Sequence, residues 1–166
     1  MTIEQIDRQN PDFLKHIYKI RKQVFENEFG FPKKDRMTQN EWDALSNHYL
    51  LINNGKPVGA VAVVNWTGLC DILKENGIDP KLSVAKITKL AILPEARSLS
   101  NLKELIYSTQ QEIITSHYDF VTANVARPSN KPKDRRMDHI KQTYQKTFGL
   151  QEIQESDGSW TLGKQL

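Results

Sequence analysis

One stretch of the sequence, residues 83–109, combines residue types and spacing that suit phosphate binding. Its apolar residues predict a strand ending near Leu93, and a Pro-Glu-Ala-Arg loop separates that strand from residues with helical spacing. We expect Ser100 or Asn101 to cap the helix. Because the first turn of a helix presents unpaired N–H groups and the positive end of the dipole, this unit can bind a phosphate. The alternative is an ordinary strand–loop–helix unit of an α/β core.

Histidine and cysteine, the side chains that most often ligate zinc, are few and scattered. His48 and His139 lack the spacing of metal ligands, and Cys70 is the only cysteine. We therefore expect no metal site and no intramolecular disulfide. A single cysteine is also typical of a reducing compartment.

The length and composition are those of one domain, covering residues 1–166, with a hydrophobic core of its own. The N-terminal residues lack the apolar core of a signal peptide, and no apolar run is long enough to cross a bilayer. We therefore expect a cytoplasmic protein without a membrane span. A net charge of +3 is too small to indicate a nucleic-acid-binding protein by itself.

The first third of the chain predicts a strand, a helix and a long loop. A strand at Thr2–Ile6 precedes a helix that Asn10 caps, whose apolar stripe continues to about Phe29 before Gly30. Residues 31–43 fit neither the strand nor the helix period and predict a polar loop. Loops of this length in compact domains often line a functional site.

The rest of the chain predicts a hairpin, a short helix, a strand, a helix, a strand, a helix and a final hairpin. The turn Asn53-Asn54-Gly55-Lys56 between two apolar runs is the strongest of these signals. The continuous apolarity of the flanking runs predicts strands that are covered on both faces. The predicted segments are 48–52, 57–64, 69–74, 83–109, 118–126, 137–148, 150–154 and 160–162. This order indicates a mixed α/β (α+β) domain around one largely antiparallel sheet with a parallel crossover.

This order of elements resembles that of the GCN5-related N-acetyltransferase (GNAT) superfamily. Residues 90–97 before a helix and residues 146–150 before the last strands carry the resemblance. It implies an acyl-CoA N-acyltransferase fold, in which the strand at 89–93 splays from its neighbour and pairs with the pantetheine arm of a thioester. The following loop is then implied to bind the donor's phosphate. The implied donor-binding residues are Lys89, Leu90, Ala91, Ile92, Leu93, Arg97, Ser98, Ser100, Asn101 and Leu102.

The phosphate loop of this chain departs from the family pattern, which is Arg or Gln, two residues, Gly, one residue, and Gly or Ala. Here Arg97 is followed by Ser100 and Leu102 where the glycines belong. Glycine permits close backbone approach, so its absence weakens the site for the diphosphate of coenzyme A. The single phosphodiester of carrier-protein-bound phosphopantetheine needs fewer backbone contacts from this loop.

The N-terminal third is similar to the acyl-homoserine-lactone synthases and N-acyl amino acid synthases. The similar residues are 21–25, Phe31, 41–43 and 48–51. These relatives take acyl chains from acyl carrier protein. The lactone synthases have a third acid where this chain has Ser46 and an arginine where it has Ala62. They have a Glu and an Arg where it has Lys86 and Lys89. These differences argue against the S-adenosylmethionine substrate of the lactone synthases.

The same resemblance implies a chemical role for Glu41 and Asp43, which lie on the loop that matches the acid-bearing loop of the synthases. One of them would orient or deprotonate the acceptor amine. The alternatives are a solvent-facing loop and a salt bridge to Arg21. Arg21 matches the helix arginine that pairs with these acids in the relatives, so the implied role of Arg21 is positional.

The aromatic residues include one candidate general acid and three candidates for an acyl pocket. Tyr144 resembles the tyrosine that protonates the leaving thiolate, but alignment of its helix end with the family pattern puts Gln145 at that position. A shift of one residue turns a helical side chain by about 100°, which favours Tyr144 as a core residue. Phe25, Phe31 and Trp66 are predicted to line the acyl pocket or to be ordinary core aromatics.

A basic cluster follows the strand at 118–126. Its members are Arg127, Lys131, Lys133, Arg135, Arg136 and Lys141. Carrier proteins are acidic, so this cluster can steer one toward the site; the alternative is a solvated loop and helix start. Nucleic acid is the weaker partner, because no aromatic residue is interleaved to stack bases.

Together these features predict an N-acyltransferase with no permanently bound cofactor. It would move a medium or long acyl chain from acyl-phosphopantetheine, on acyl carrier protein or coenzyme A, to an amine such as an amino acid or peptide amine. One alternative is an acetyl-CoA-dependent N-acetyltransferase with a degenerate phosphate loop. The other is a non-catalytic, GNAT-like binding or regulatory module.

Overall fold

Seven strands and four α-helices make up the chain in this computed structural model, which describes residues 2–6, 11–156 and 158–166. The strands are β1 (Thr2–Ile6), β2 (Ser46–Asn53), β3 (Lys56–Asn65), β4 (Val84–Ile92), β5 (Phe120–Ala126), β6 (Gln151–Ser156) and β7 (Ser159–Gln165). The α-helices are α1 (Pro11–Arg21), α2 (Cys70–Glu75), α3 (Leu99–Thr115) and α4 (Arg136–Phe148). A π-helical segment, Lys22–Glu28, continues α1, and 3-10 helices occupy Lys33–Asp35, Glu41–Leu45 and Pro94–Ala96.

The strands form one sheet in the order β1-β2-β3-β4-β5-β7-β6. Neighbouring strands are antiparallel except β4 and β5, which are parallel. Helix α3 makes the crossover that a parallel pair requires. The predicted mixed sheet with one parallel crossover is therefore confirmed.

The β2–β3 hairpin closes through Asn54 and Gly55, whose φ angles are 49° and 72°. Positive φ at both central residues is the requirement of the tight turns that match the twist of the strands. Strand β3 is buried from Val58 through Val64, as its continuous apolarity predicts. Its position as an inner strand, with β2 and β4 as neighbours, explains this burial.

Helices α1 and α3 cover opposite faces of the sheet. Tyr49 on β2 donates a hydrogen bond to Glu112 of α3, with an O–O distance of 2.5 Å. Its neighbour His48 contacts Arg21 at the end of α1. Because adjacent residues of a strand point to opposite faces, these two contacts place α1 on one face and α3 on the other.

Strands β4 and β5 diverge partway along their length. Their ladder begins at Val84↔Phe120 and ends at Ile87↔Ala123, although β4 continues to Ile92. The pairing of β4 with β3 is also irregular here, and Lys89 has a φ of 54°. A residue in the left-handed region within a strand marks a bulge that bends the chain. The splayed strand that the resemblance implies is present.

The structure differs from the predicted helix caps. Ser98, not Ser100 or Asn101, caps α3: its backbone is extended and its hydroxyl accepts a hydrogen bond from the Asn101 N–H at 3.1 Å. Helix α3 therefore begins at Leu99. Asn10, the predicted cap of α1, lies outside the described residues, as does Asp157 in the last turn. None of the described helices is long and apolar enough to cross a membrane.

Gly163 provides a test of packing in the β5–β7–β6 part of the sheet. A Cβ atom there would lie 2.5 Å from the Phe120 ring and 2.5 Å from Ile153 Cδ1. We expect Gly163→Ala to lower the free energy of unfolding by about 1–3 kcal/mol, the usual cost of overpacking, in urea titrations. Gly158→Ala is the control, because no atom lies within 4 Å of its added Cβ. Equal stability of the two variants would contradict this account.

Candidate active site

A cleft of about 470 Å³ opens where β4 and β5 diverge. One wall is β4, another is the end of β5, and the N-terminal part of α3 adjoins them. The apolar lining comes from the π-helical segment, the loop after it and α4; it includes Phe25, Phe29, Phe31, Met37, Met137 and Ile140. The volume lies within the range of pockets that bind small molecules.

A buried ionic cluster lies beside this cleft. Arg21 is fully buried, and its Nη1 donates to Asp43 Oδ1 at 2.7 Å. Lys89 Nζ donates to Asp43 Oδ2 at 2.9 Å, and the Asn40 N–H donates to the same oxygen at 2.9 Å. The salt bridge between Arg21 and Asp43, which the sequence suggested, is present.

These contacts set the charge of Asp43 and Lys89. Burial raises the pKa of Asp43, but Arg21, the Asn40 N–H and Lys89 outweigh it and hold the pKa below its ordinary value. The carboxylate is therefore ionised at neutral pH, and donors occupy both of its oxygens. Burial and the charge of Arg21 lower the pKa of Lys89 to about 8, although Asp43 opposes them.

His48 completes the cluster as a neutral side chain. Its Nδ1 lies 3.3 Å from Arg21 Nη2, and its Nε2 lies 2.9 Å from the Asp43 carbonyl oxygen. Because a guanidinium only donates, Nδ1 must accept and Nε2 must carry the proton. Burial and the charge of Arg21 lower the pKa of His48 to about 4.

The loop between β4 and α3 has two features that suit an anion. The N–H groups of Leu99 and Ser100, in the first turn of α3, have no acceptor within the helix. Arg97 Nε donates to the Ile92 carbonyl at 3.1 Å, while its Nη1 and Nη2 donate to the Glu28 carboxylate at 2.6 and 2.5 Å. A phosphate at this loop would compete with Glu28 for Arg97.

Comparisons with known proteins agree with this architecture. No family sequence model and no curated protein sequence matches the chain. Among solved structures, ElaA from Escherichia coli matches with a TM-score of 0.72 at 15% identity, covering 99% of this chain and 100% of that chain. An acetyltransferase of the GNAT family from Staphylococcus aureus Mu50 matches with a TM-score of 0.68 at 14% identity, covering 99% of each chain. The chain has the GNAT fold.

A third structure with this fold is FeeM, an N-acyl amino acid synthase from uncultured soil microbes. It matches with a TM-score of 0.64 at 9% identity, covering 99% of this chain and 95% of that chain. The expected fold is therefore confirmed over nearly the whole chain. The roles of individual residues depend on the geometry of the cleft.

Most residues that the resemblance assigned to the donor lie at the cleft of this GNAT fold. Those that line it are Lys89, Leu90, Ile92, Arg97, Ser98 and Leu102. Ala91, Leu93, Ser100 and Asn101 are not among the lining residues. The Asn101 side chain is buried and donates to the Ala96 carbonyl at 2.6 Å, so it stabilises the loop.

The two predicted acids have different surroundings. Asp43 is buried at the centre of the ionic cluster, whereas the Glu41 side chain is 59% exposed and forms a salt bridge with Arg36 at 3.1 Å. Neither carboxylate lines the cleft. Lys89 lines the cleft and contacts Asp43, so it is the residue through which Asp43 reaches the site.

Tyr144 is both a core residue and a lining residue of the cleft. Its ring stacks on Phe148 with centroids 5.4 Å apart, and only 5% of the residue is exposed. Burial raises the pKa of its hydroxyl well above the ordinary value. Tyr144 is therefore buried in the core, and its hydroxyl stays protonated at neutral pH.

Phe25 and Phe31 line the cleft, whereas Trp66 lies outside it as a core residue, the alternative that the sequence left open. The Phe25 and Phe31 rings contact edge to face, with centroids 6.1 Å apart. Trp66 instead belongs to a second hydrophobic cluster with Leu73 of α2 and Val84. Trp66 follows the end of β3, so the α2 insertion covers it.

The sequence analysis missed Asn124, which lines the cleft one residue beyond the last β4–β5 pair. Its Nδ2 donates to Thr161 Oγ1 at 3.0 Å and to Asn76 Oδ1 at 3.3 Å. Its Oδ1 is buried without a hydrogen-bond partner. An asparagine among the mostly apolar residues of β5 was the available signal, since a buried polar side chain in such a position has a polar role.

Half of the basic cluster is engaged within the protein. Arg136 donates to the carbonyls of Glu28 and Phe29 at 3.1 Å each, Lys141 forms a salt bridge with Glu152, and Arg127 stacks on Trp160. The exposed members with no such contact described are Lys131, Lys133 and Arg135. No group of three or more potential metal-ligating side chains occurs among the described residues.

We expect Asp43→Asn to lower the free energy of unfolding by about 3 kcal/mol or more at neutral pH, because Arg21 loses its counter-ion while buried. Urea unfolding measures this loss. Glu41→Gln removes an exposed salt bridge and should cost at most about 1 kcal/mol. Since the folded pKa of Asp43 is lowered, its contribution is present above about pH 4 and is lost as the pH falls through the folded value. Similar losses in both variants would contradict the proposed cluster.

His48 makes a separate pH-dependent contribution. The unfolded histidine binds a proton near pH 6.5, whereas the folded one does so only at about 4. The free energy of unfolding should therefore fall by about 3 kcal/mol from this group between pH 6.5 and 4. His48→Gln should flatten this part of the pH profile, and the exposed His139→Gln should not. An unchanged profile in His48→Gln would show that His48 does not titrate this way.

Proposed function

We propose that the protein is an N-acyltransferase that moves an acyl chain longer than acetyl from a phosphopantetheine thioester to an amine. The observation that carries this proposal is the cleft between β4 and β5, where β4 continues beyond the last β5 pair at Ile87↔Ala123. The edge of β4 that faced β5 has no ladder partner there, so its N–H and C=O groups are available to an extended ligand. The amide groups of a pantetheine arm match this edge.

The donor would lie along β4 with its phosphate at the β4–α3 loop. Residues 88–92 would pair with the pantetheine arm, and the first-turn N–H groups of Leu99 and Ser100 would hold the phosphate. Arg97 would contribute its guanidinium after exchanging Glu28 for the phosphate. A single phosphodiester needs fewer donors than a diphosphate, which favours carrier-bound phosphopantetheine over coenzyme A.

The exposed residues Lys131, Lys133 and Arg135 support a carrier protein as the natural donor. They follow β5, which forms one edge of the cleft, and they precede α4, which forms another. An acidic partner would therefore be attracted to a surface next to the donor site. FeeM, which has the same fold, is named as an N-acyl amino acid synthase.

The lining of the cleft supports a long acyl chain. Phe25, Phe31, Met37, Met137 and Ile140 provide an apolar wall. Methionine side chains adapt their shape to an irregular apolar ligand. An acetyl group would contact little of this surface. A longer acyl chain would gain about 0.8 kcal/mol of binding free energy for each CH₂ group that it buries there.

In the proposed reaction, the neutral amine attacks the thioester carbonyl, the C–N bond forms, and the C–S bond breaks. The amine loses a proton and the thiolate gains one, so the products are an amide and a thiol. Tyr144 would protonate the thiolate, because it lines the cleft and its hydroxyl carries a proton at neutral pH. Asp43 would act by positioning Lys89 at the cleft.

Acetyl transfer from acetyl-CoA is the second candidate. The likeness to an acetyltransferase of the GNAT family supports it. Both enzymatic functions would use the same cleft, so the acyl-chain length of the preferred donor distinguishes them. A non-catalytic binding module would bind thioesters or a partner without any turnover.

Thiol release from acetyl, octanoyl and palmitoyl thioesters of coenzyme A and acyl carrier protein, with a panel of amino acids and peptides, tests the proposal. We expect turnover with octanoyl or palmitoyl donors to exceed that with acetyl donors at least tenfold. Highest turnover with acetyl-CoA would favour the second candidate. Absence of thiol release with every donor would reject both enzymatic readings.

Tyr144→Phe tests the proposed general acid within the same assay. We expect kcat to fall by about 10²–10⁴, the usual contribution of such a group. Tyr107→Phe on α3 is the matched control, because Tyr107 is 60% exposed. An unchanged kcat in Tyr144→Phe, with a normal unfolding curve, would remove Tyr144 from the mechanism.

A further inference from the structure

Lys89 owes its position in the cleft to the bulge of β4. Between its pairs with Ala62 and Ala60 of β3, β4 has two residues, whereas β3 has one. In a regular strand, Lys89 would point to the face that α3 covers, as Ile87 does. Its left-handed backbone, with a φ of 54°, instead lets the side chain line the cleft and reach Asp43 on the face that α1 covers. The fold therefore maintains a strained residue to place this ammonium.

Asn124 lies across the cleft from this bulge, on β5. The β4–β5 ladder ends one residue earlier, and its next step would put Asn124 beside Thr88, which precedes Lys89. The register of the strands places Asn124 on the same face as the ionic cluster. Its Oδ1 is buried with no hydrogen-bond partner among the described residues, whereas its Nδ2 is held by Thr161 and Asn76. The fold fixes the amide and leaves its oxygen available to a ligand of the cleft.

The ionic cluster carries a net positive charge at this point of the cleft. Arg21 and Lys89 are cations, and Asp43 is the carboxylate that pairs with both. Among the described residues, no other carboxylate forms a salt bridge with either cation. Only 7% of Lys89 is exposed, so water screens its charge weakly. A negative charge that develops in the cleft would therefore be stabilised there.

Attack of an amine on a thioester creates a pair of opposite charges. As the C–N bond forms, the electron pair of the carbonyl moves onto oxygen and the nitrogen becomes positive. The oxygen then needs a cation or a hydrogen-bond donor, and the N–H groups need an acceptor. With the donor's phosphate at the β4–α3 loop, its thioester would lie at the other end of residues 88–92, beside the bulge. Lys89 and Asn124 therefore offer the required cation and acceptor on the two strands that enclose the reacting atoms.

We infer that Lys89 and Asn124 are catalytic residues that stabilise the tetrahedral intermediate, the Lys89 ammonium at the oxyanion and Asn124 Oδ1 at the amine nitrogen. This inference rests on the proposed function and adds two residues to it. Neither residue forms a bond or transfers a proton. When the oxyanion collapses, the C–S bond breaks and Tyr144 protonates the thiolate, and the proton that the nitrogen loses balances the one that Tyr144 gives.

Lys89→Met tests the oxyanion role in the thiol-release assay. We expect kcat to fall by about 10²–10³, the usual cost of losing one oxyanion donor, with little change in KM for the donor. Lys89→Arg keeps the charge and should recover part of this loss. Lys86→Met is the matched control, because the Lys86 ammonium lies 3.9 Å from the centroid of the Trp66 ring and does not line the cleft. Equal losses in the two methionine variants, or an unchanged kcat in Lys89→Met, would overturn the inference.

The pH dependence distinguishes oxyanion stabilisation from general-base catalysis by Lys89. The ratio of kcat in wild type to kcat in Lys89→Met cancels the ionisation of the acceptor amine. Because the ammonium is the active form, this ratio should be highest at neutral pH and should decline as the pH rises through the pKa of Lys89, about 8. A ratio that increases with pH would identify a general base and overturn the inference.

Other charged groups around Lys89 bear on this profile. They come from α1, the 3-10 helix before β2, β2 and β4, and they are Arg21, Asp43, Glu41, His48 and Lys86. Burial and the charge of Lys89 lower the pKa of Lys86 to about 7, so Lys86 titrates in a neighbouring range. The ratio is therefore measured again in a Lys86→Met background, where the decline near pH 8 should persist. Loss of the decline in that background would assign it to Lys86 and contradict the role of Lys89.

Asn124→Leu tests the acceptor role. We expect kcat/KM for the amine to fall about tenfold to a hundredfold, the equivalent of a hydrogen bond to a charged group. Thr161→Val is the control, because it removes a partner of Asn124 Nδ2 and leaves Oδ1 in place. Equal losses in the two variants would show that Asn124 only supports the strands, which would remove it from the mechanism.

A binding measurement keeps the inference testable without turnover. Octanesulfonate combines an alkyl chain with a stable tetrahedral anion, and octanol has the chain alone. In calorimetric titrations, we expect Lys89→Met to weaken octanesulfonate binding about tenfold or more and to leave octanol binding unchanged. Lys86→Met should weaken neither. In wild type, octanesulfonate binding should also weaken as the pH rises through about 8.

The two kinds of measurement fail separately. Equal affinity of wild type and Lys89→Met for octanesulfonate would overturn the inference, even if thiol release confirms the proposed function. Loss of octanesulfonate binding in Lys89→Met, together with no thiol release from any donor, would reject the proposed function and leave an anion site at Lys89.

Discussion

The cleft depends on one buried anion, the carboxylate of Asp43. It accepts hydrogen bonds from Arg21 at the end of α1, from the Asn40 backbone and from Lys89 at the bulge of β4. A buried charge without partners costs several kcal/mol, so these distant parts of the chain stabilise one another only when all are assembled. Because Lys89 has a left-handed backbone where β4 leaves the β5 ladder, the same contacts stabilise the bend that opens the cleft.

The opposite face of the sheet supplies the rigid support for this bend. Glu112 of α3 accepts hydrogen bonds from Tyr49 and Asn47 of β2, at 2.5 Å each. Leu105 of the same helix packs at Gly59 on β3, where an added Cβ would come within 3.1 Å of it. The inner strands are thereby fixed from both sides. The divergence is confined to the end of β4, and the cleft keeps a defined shape.

The features that sequence analysis predicted well are those with local causes. Strand and helix periods, and the Asn54-Gly55 turn, depend on neighbours within a few residues, and they predicted the strands, the helices and their order along the chain. The helix cap was less determined, because Ser98, Ser100 and Asn101 are all competent caps within four positions, and only the backbone geometry selects Ser98. The π-helical form of Lys22–Glu28 was likewise not predicted, since an apolar stripe does not distinguish it from α-helix.

Sequence analysis predicted only those residues of the candidate site that correspond to the family pattern. That pattern led to Arg21, Asp43 and the β4 strand, but Asp43 and Lys89 are 46 residues apart, and no local signal joins them. The choice between pocket and core for Trp66 stayed open for a similar reason: the sequence shows that it follows β3 but not that the α2 insertion covers it. Asn124 lines the cleft only because the β4–β5 ladder ends one residue before it, and three-dimensional pairing alone establishes that register.

Two ion pairs beside the cleft differ in how readily a ligand can replace them. The Arg21–Asp43 pair is at most 5% exposed, so breaking it leaves buried charges unpaired. The Arg97–Glu28 pair is 40% and 27% exposed, and water can solvate either partner when the pair opens. An incoming phosphate can therefore exchange with Glu28 at Arg97 at little cost, whereas the Asp43 cluster must persist through each binding event. The donor end of the cleft is thus adaptable, and the end at the divergence of β4 and β5 is fixed.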